Sequence, residues 1–251
     1  MGTFKAYLNK EIKEYARQYK YLILAIGIVG FALLNIIMLK LLPEILKSQL
    51  PPEVAAYFKT TEKTAIQNYI KNLLQLGNFF VIFTYCGSLS DELSSQKLVF
   101  PYSKGASPLA LVSAKFIHYS IVTTLFTFVG FFTTYYYAGI LFTGEALSVS
   151  QISTAAALFS VYFIFNIALL TFISSLFKKG ITAGIVTLAI TFLSIPLTNL
   201  SKISTLIPYK LVENANLFTF NNMAFTIIFT LLLSICFVIL TIIRMNKVEV
   251  I

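Results

Sequence analysis

Six stretches of about 20 apolar residues recur along this chain, the length a helix needs to cross the hydrocarbon layer of a bilayer. They run Tyr21 to Leu42, Leu73 to Leu89, Phe116 to Phe142, Ser153 to Phe177, Ile181 to Leu200 and Ala224 to Ile243. Backbone polar groups in lipid must be satisfied within the segment, so runs of this length specify helices. The expected fold is an all-α membrane protein with six transmembrane helices. The second run is short and carries Gln75 and Asn78, so it is expected to reach back toward Tyr69; the third is long enough to tilt. The first run is too long for a secretion signal and lacks a small-residue cleavage site, so it is expected to be retained. Composition agrees, because 57% of residues are hydrophobic and only 12% charged, against about 25% charged in soluble domains.

Orientation follows from Lys and Arg in the short loops. Twelve of the 19 fall on the side of the amino terminus and seven on the other, while the ten acids divide five and five. Both termini are therefore expected in the cytoplasm, the chain being placed in a bacterial plasma membrane on its Lys, Ile, Phe, Asn and Tyr content and its lack of Trp. The net charge of +9 flanks the spans without forming a basic stripe, so anionic membrane lipid is the expected partner and nucleic acid is not. Cys86 and Cys236, both in spans, read as small core residues.

No linker or repeat divides residues 1–251, which read as one membrane domain. Over residues 1–20, Phe4, Leu8, Ile12, Tyr15 and Tyr19 recur at helical spacing among Lys5, Lys10, Lys13, Arg17 and Lys20, predicting an amphipathic interfacial helix. The outer segment Pro43 to Asn72 has apolar positions at Val54, Tyr57, Phe58, Ile66, Tyr69 and Ile70, with Pro51 and Pro52 suited to a first helical turn. Short helices on the outer face are expected there. The segment Thr198 to Met223, around Pro208, is expected to form short or re-entrant outer helices between spans five and six.

The spans hold little that could catalyse a reaction. No H-E-x-x-H or G-x-S-x-G motif is present, and the lone His118 cannot build a zinc site; it reads as a hydrogen-bonded structural residue. The ten acids fall outside the predicted spans, which argues against ion coupling. The spans' hydroxyls and amides, including Thr123, Thr124, Thr133, Thr171, Ser174 and Ser175, are expected mostly to join helices to one another. Asn35, Asn78, Thr127, Thr134, Tyr135 and Asn166 are the candidates for lining a path. The Tyr135, Tyr136 and Tyr137 run also suits the aromatic belt at the headgroup level. No phosphate loop of the form G-x-x-x-x-G-K-[ST] occurs, so ATP and magnesium, if used, belong on another polypeptide.

The connection between spans two and three reads SLSDELSSQKLVFPYSKGASPLALVSAKF, too long for a tight turn and too polar for lipid. Asp91 and Glu92 open it, a short amphipathic portion follows, and Pro101, Ser103 and Lys104 form a turn before a helix ending at Lys115. This connection resembles that of type-2 ABC exporter permeases, in which an acidic residue after the second span precedes a coupling helix and a proline with a Ser-Arg or Ser-Lys pair. The match falls on Glu92, Pro101, Ser103, Lys104 and Lys115. It departs at Ser95 to Lys97, where the family has Gly-Thr, and at Ala114, where it has Gly.

The resemblance implies a cytoplasmic coupling region over residues 90–115, with Asp91, Glu92, Gln96, Lys97, Pro101, Tyr102, Ser103 and Lys104 contacting the ATPase. It further implies two ABC ATP-binding subunits and a second permease subunit, as homodimer or heterodimer. Hydrophobic or amphipathic cargo (peptide, antibiotic or lipid) suits an acid-free bundle. The alternatives are an ion-coupled secondary transporter or channel, a membrane enzyme, and an assembly protein with no transport role. An adjacent gene for an ATP-binding cassette would separate the first reading from the rest.

Overall fold

The computed structural model describes residues 2–47, 60–200, 203–220 and 223–247. The expected outer helices around Pro51, Pro52, Val54, Tyr57 and Phe58 lie outside those residues. The chain opens with α1 (Gly2–Arg17), and a left-handed Tyr19 turns it into the first span. That span is α2 (Lys20–Ala25), a π-helical turn (Ile26–Gly30) and α3 (Phe31–Lys47). The second is α4 (Glu62–Asn72), another π-helical turn (Leu73–Gly77) and α5 (Asn78–Tyr85), ending at a break over residues 86–89. Short α6 (Ser90–Ser94) and α7 (Val99–Ser103) lead to α8 (Pro108–Leu141) and α9 (Val149–Ser174). The remaining helices are α10 (Gly180–Leu193), α11 (Tyr209–Leu217) and α12 (Ala224–Asn246).

Six of these helical units are long and apolar enough to cross a membrane, beginning at Lys20, Glu62, Pro108, Val149, Gly180 and Ala224. Local chemistry sets several starts. Thr61 and Thr64 form a reciprocal capping box before α4, as do Ser148 and Gln151 before α9. Ser107 caps α8, whose first residue is Pro108, where a missing N–H costs nothing. The two π-helical turns pack against each other. Gly27, in the first of them, leaves the room that the Phe80 ring fills; a Cβ there would run into the ring.

The structure corrects several boundaries. The second span starts at Glu62, eleven residues before Leu73, so Ile66, Tyr69 and Ile70 are buried inside the bundle and not on an outer surface. Acids consequently stand at both ends of that unit: Glu62 at one, Asp91 and Glu92 at the other. The Glu62 carboxylate accepts from the Leu147 backbone N–H at 3.1 Å. The helix expected to end at Lys115 continues without interruption to Leu141. No helix breaker separates residues 108–115 from the rest of the helix.

The main core is aromatic and aliphatic, with Tyr69, Phe131, Phe159, Tyr162 and Phe163 fully buried. Helix α11 packs into it through Leu211, Val212 and Ala215, along α9 and α4, so the segment expected on the outer side is held within the bundle. A second core at the other end joins Tyr7, Leu89, Leu98, Leu111, Val112 and Met245. It brings α1 and the last turn of α12 to the same side.

Candidate functional site

That second core carries the most unusual chemistry in the molecule. One face of α1 is buried through Tyr7, Glu11 and Tyr15, spaced four residues apart, and this face packs along α8. Ile12 and Tyr19, expected on the apolar stripe, are exposed instead. Phe4, Leu8 and Tyr15 of that stripe do pack inward, and the fully buried face also includes an acid.

Glu11 is 1% exposed and meets Lys115, 2% exposed, at the first third of α8. The Lys115 ammonium donates to Glu11 Oε1 at 2.7 Å and to Glu92 Oε1 at 3.0 Å. Glu92 Oε1 also accepts from Lys10, which reaches in from the rim. The Tyr119 hydroxyl, one turn beyond Lys115, donates to Glu11 Oε2 at 2.9 Å. Lys115, Glu11 and Glu92 thus form one buried junction joining α1, α6 and α8, and the half-exposed Lys10 at its rim pairs with Glu92 and, at 3.6 Å, with Glu14. Buried charges are tolerated only when paired in this way.

Around the junction lies an aromatic wall. Tyr85 and Tyr119 stack with centroids 4.4 Å apart, and Tyr15 packs edge-on to His118 at 4.8 Å. His118 shares a 2.8 Å hydrogen bond with the Tyr21 hydroxyl, as expected of a structural histidine. Burial raises the phenol pKa values of Tyr7 and Tyr15, and that of Tyr102 to about 12, so these rings stay neutral.

The other residues singled out from the sequence fall into distinct places. Asp91 is exposed, and its Oδ1 accepts from the Gly180 backbone N–H at 3.2 Å. Gln96 takes a left-handed conformation (φ 55°) at the turn between α6 and α7, beside exposed Lys97. Pro101 lies inside α7, and the following turn is made at Lys104 and Gly105, whose φ of 77° suits glycine. Ser103 donates back to Phe100 O at 2.9 Å, and Tyr102 is half-buried with an unpartnered hydroxyl. Phe100 is 66% exposed, and Lys104 holds its ammonium 4.5 Å from the ring centre. A groove of about 570 Å³, lined by Ala6, Tyr7, Lys10, Phe100 and Lys104 among others, separates α7 from α1.

Of the path-lining candidates, Asn35, Asn78, Thr127, Thr134 and Asn166 are buried among helices, and Tyr135 is partly buried against the core. Asn166 donates to Asn78 Oδ1 at 3.0 Å, and Asn35 donates to Ala65 O at 3.0 Å, each joining two spans. Thr127, Thr134 and Thr171 differ from the expectation of cross-helix bonds. Each donates to the carbonyl four residues earlier in its own helix, an acceptor always within reach of a short hydroxyl. Ser174 does bridge: its Oγ accepts from the Leu89 and Ser90 N–H groups and donates to Cys86 O at 2.9 Å, satisfying the break after α5.

Sequence reading missed Glu11 and Tyr119 altogether and took Lys10 only as a basic anchor. The available signal was a glutamate falling at helical spacing between Tyr7 and Tyr15. Fold and site define a multi-pass helical membrane protein. No family model matches the chain, and no curated protein matches it.

Proposed function

We propose that this chain is the membrane permease subunit of an ATP-driven exporter of the type-2 ABC class. Two such subunits, identical or different, form the translocation path, and two separate ATP-binding subunits bind ATP and magnesium beneath them. Both termini face the cytoplasm, α1 lies at the membrane surface, and residues 90–107 dock on the ATPase.

The observation that carries this reading is the junction of Lys10, Glu11, Glu92 and Lys115. It fixes the connection between spans two and three to α1 and α8, while Phe100 and Lys104 remain presented on its outer surface. A rigid base under an exposed aromatic tip suits force transfer from a partner. A loop with no task needs neither. The cargo is hydrophobic or amphipathic, in keeping with six spans that, among the described residues, carry acids only at their ends.

Co-expression with an ATP-binding subunit encoded beside this gene tests the proposal. The complex is expected to co-purify, to hydrolyse ATP, and to weaken when Phe100→Asp is introduced. Ion flux through the chain alone in liposomes, with no ATPase present, would refute it and favour a channel.

A further inference from the structure

Asp91 and Glu92 are adjacent in sequence but serve opposite sides of α6. Glu92 turns into the buried junction with α1 and α8. Asp91 turns to the start of α10, where Gly180 is the first helical residue. The N–H of a first helical residue has no acceptor within its own helix, and a carboxylate there also favours the helix dipole. The two backbones are in contact at this point. A Cβ on Gly180 would lie 2.7 Å from Gly87 Cα and 2.9 Å from Gly87 N, too close for any side chain. Ser174 closes the third side by holding the Leu89 and Ser90 N–H groups from the end of α9.

We propose that Asp91 is a positioning residue that latches span five. While its carboxylate holds the Gly180 N–H, the segment 90–107 and the start of α10 move as one body. When the bond opens, α10 moves separately. The latch stands on these contacts alone, whereas its use as the route from an ATP-binding subunit to span five rests on the function proposed above. Glycine at both 87 and 180 makes the grip possible, because it lets the carboxylate reach across a backbone-to-backbone contact.

Hydrogen exchange on the full chain in lipid nanodiscs tests the latch directly. Losing a hydrogen bond to a charged acceptor is expected to speed exchange of the Gly180 amide by about 10- to 100-fold in Asp91→Ala. Asp91→Asn, which keeps an oxygen acceptor, is expected to fall between Asp91→Ala and wild type. Amides in the middle of α9 should stay at wild-type rates, a pattern that general destabilisation would not produce. Gly180→Ala should push the backbones apart and speed the same amides, and adding Asp91→Ala to it should change nothing further. Unchanged exchange at Gly180 in Asp91→Ala, or effects of the two substitutions that multiply independently, would overturn the latch. If Asp91→Ala does not fold, Asp91→Asn against wild type decides the same question. In an assembled complex, Asp91→Ala is expected to lower the cargo moved per ATP hydrolysed. Failure of the wild-type chain to assemble with any ATPase refutes the exporter reading and leaves the exchange result to decide the latch.

Discussion

Replacing Lys115 by Met keeps most of the length of the side chain and removes its ammonium group. The Lys115 ammonium lies 2.7 Å from Glu11 and 3.0 Å from Glu92, whose side chains are 1% and 7% exposed. Without it, the only countercharge near both carboxylates among the described residues is Lys10, which is 40% exposed and 3.9 Å from Glu11, while the Tyr119 hydroxyl still donates to Glu11. Breaking a buried ion pair by removing one partner costs about 3–5 kcal/mol. Because Lys10 remains and a carboxylate can take up a proton, the lower end, about 3 kcal/mol, is the expected value. In a chain of this size that corresponds to roughly 6–12 °C in melting temperature. Thermal unfolding in detergent, followed by circular dichroism, measures it. The triple variant Lys115→Met/Glu11→Leu/Glu92→Leu should recover most of the loss, since a whole buried charge cluster can be exchanged for apolar residues at little cost. A shift under about 2 °C for the single variant, or a triple variant less stable than the single, would refute the claim that these charges are desolvated.

Ser174→Ala should strip the Leu89 and Ser90 N–H groups of their partner at the break after α5 and leave Cys86 O only the longer bond from the Ser90 hydroxyl. At about 1–3 kcal/mol for a buried unsatisfied group, the melting temperature should fall by several degrees, with Ser174→Thr milder. Gly27→Leu should collide with the Phe80 ring and abolish stable expression, and Phe80→Ala in the same chain should restore part of it; monodispersity in detergent reports both. Burial holds Tyr102 in its neutral form and raises its pKa to about 12. Its contribution is therefore complete below the ordinary phenol value of about 10 and is lost as pH rises toward 12. Tyr102→Phe removes an unpartnered hydroxyl, so it should match wild type at pH 8 and lose less melting temperature between pH 10 and 11.

The six spans were legible because hydrophobic length alone decides them, and the structure reproduces all six. Their ends were not. Residues 62–72 average too polar to read as membrane, yet Ile66, Tyr69 and Ile70 form one buried face that only the neighbouring helices reveal. The stripe on α1 was right only at Phe4, Leu8 and Tyr15, for a related reason. Ile12 and Tyr19 are more apolar than Glu11, so periodicity favoured them, whereas Glu11 is buried because a lysine 104 residues away neutralises it. Pairing at that separation leaves no local trace. Asp91 and Glu92 were singled out together as acids of one loop, but their opposite orientations depend on the short turn of α6. Ser174 was legible as a helix-joining hydroxyl; the three backbone groups it serves were not, because the break they belong to is a tertiary event.

The junction also has an electrical consequence. A lone charge shifted through a membrane potential exchanges about 2.3 kcal/mol with the field for every 100 mV it crosses. Lys10 and Lys115 pair with three carboxylates, Glu11, Glu14 and Glu92, so the five charges leave a single negative one over. Displaced as a unit along the membrane normal, they exchange work with that field as one charge and not as five separate ones. Pairing at this point keeps the field's hold on any displacement to that of a single charge.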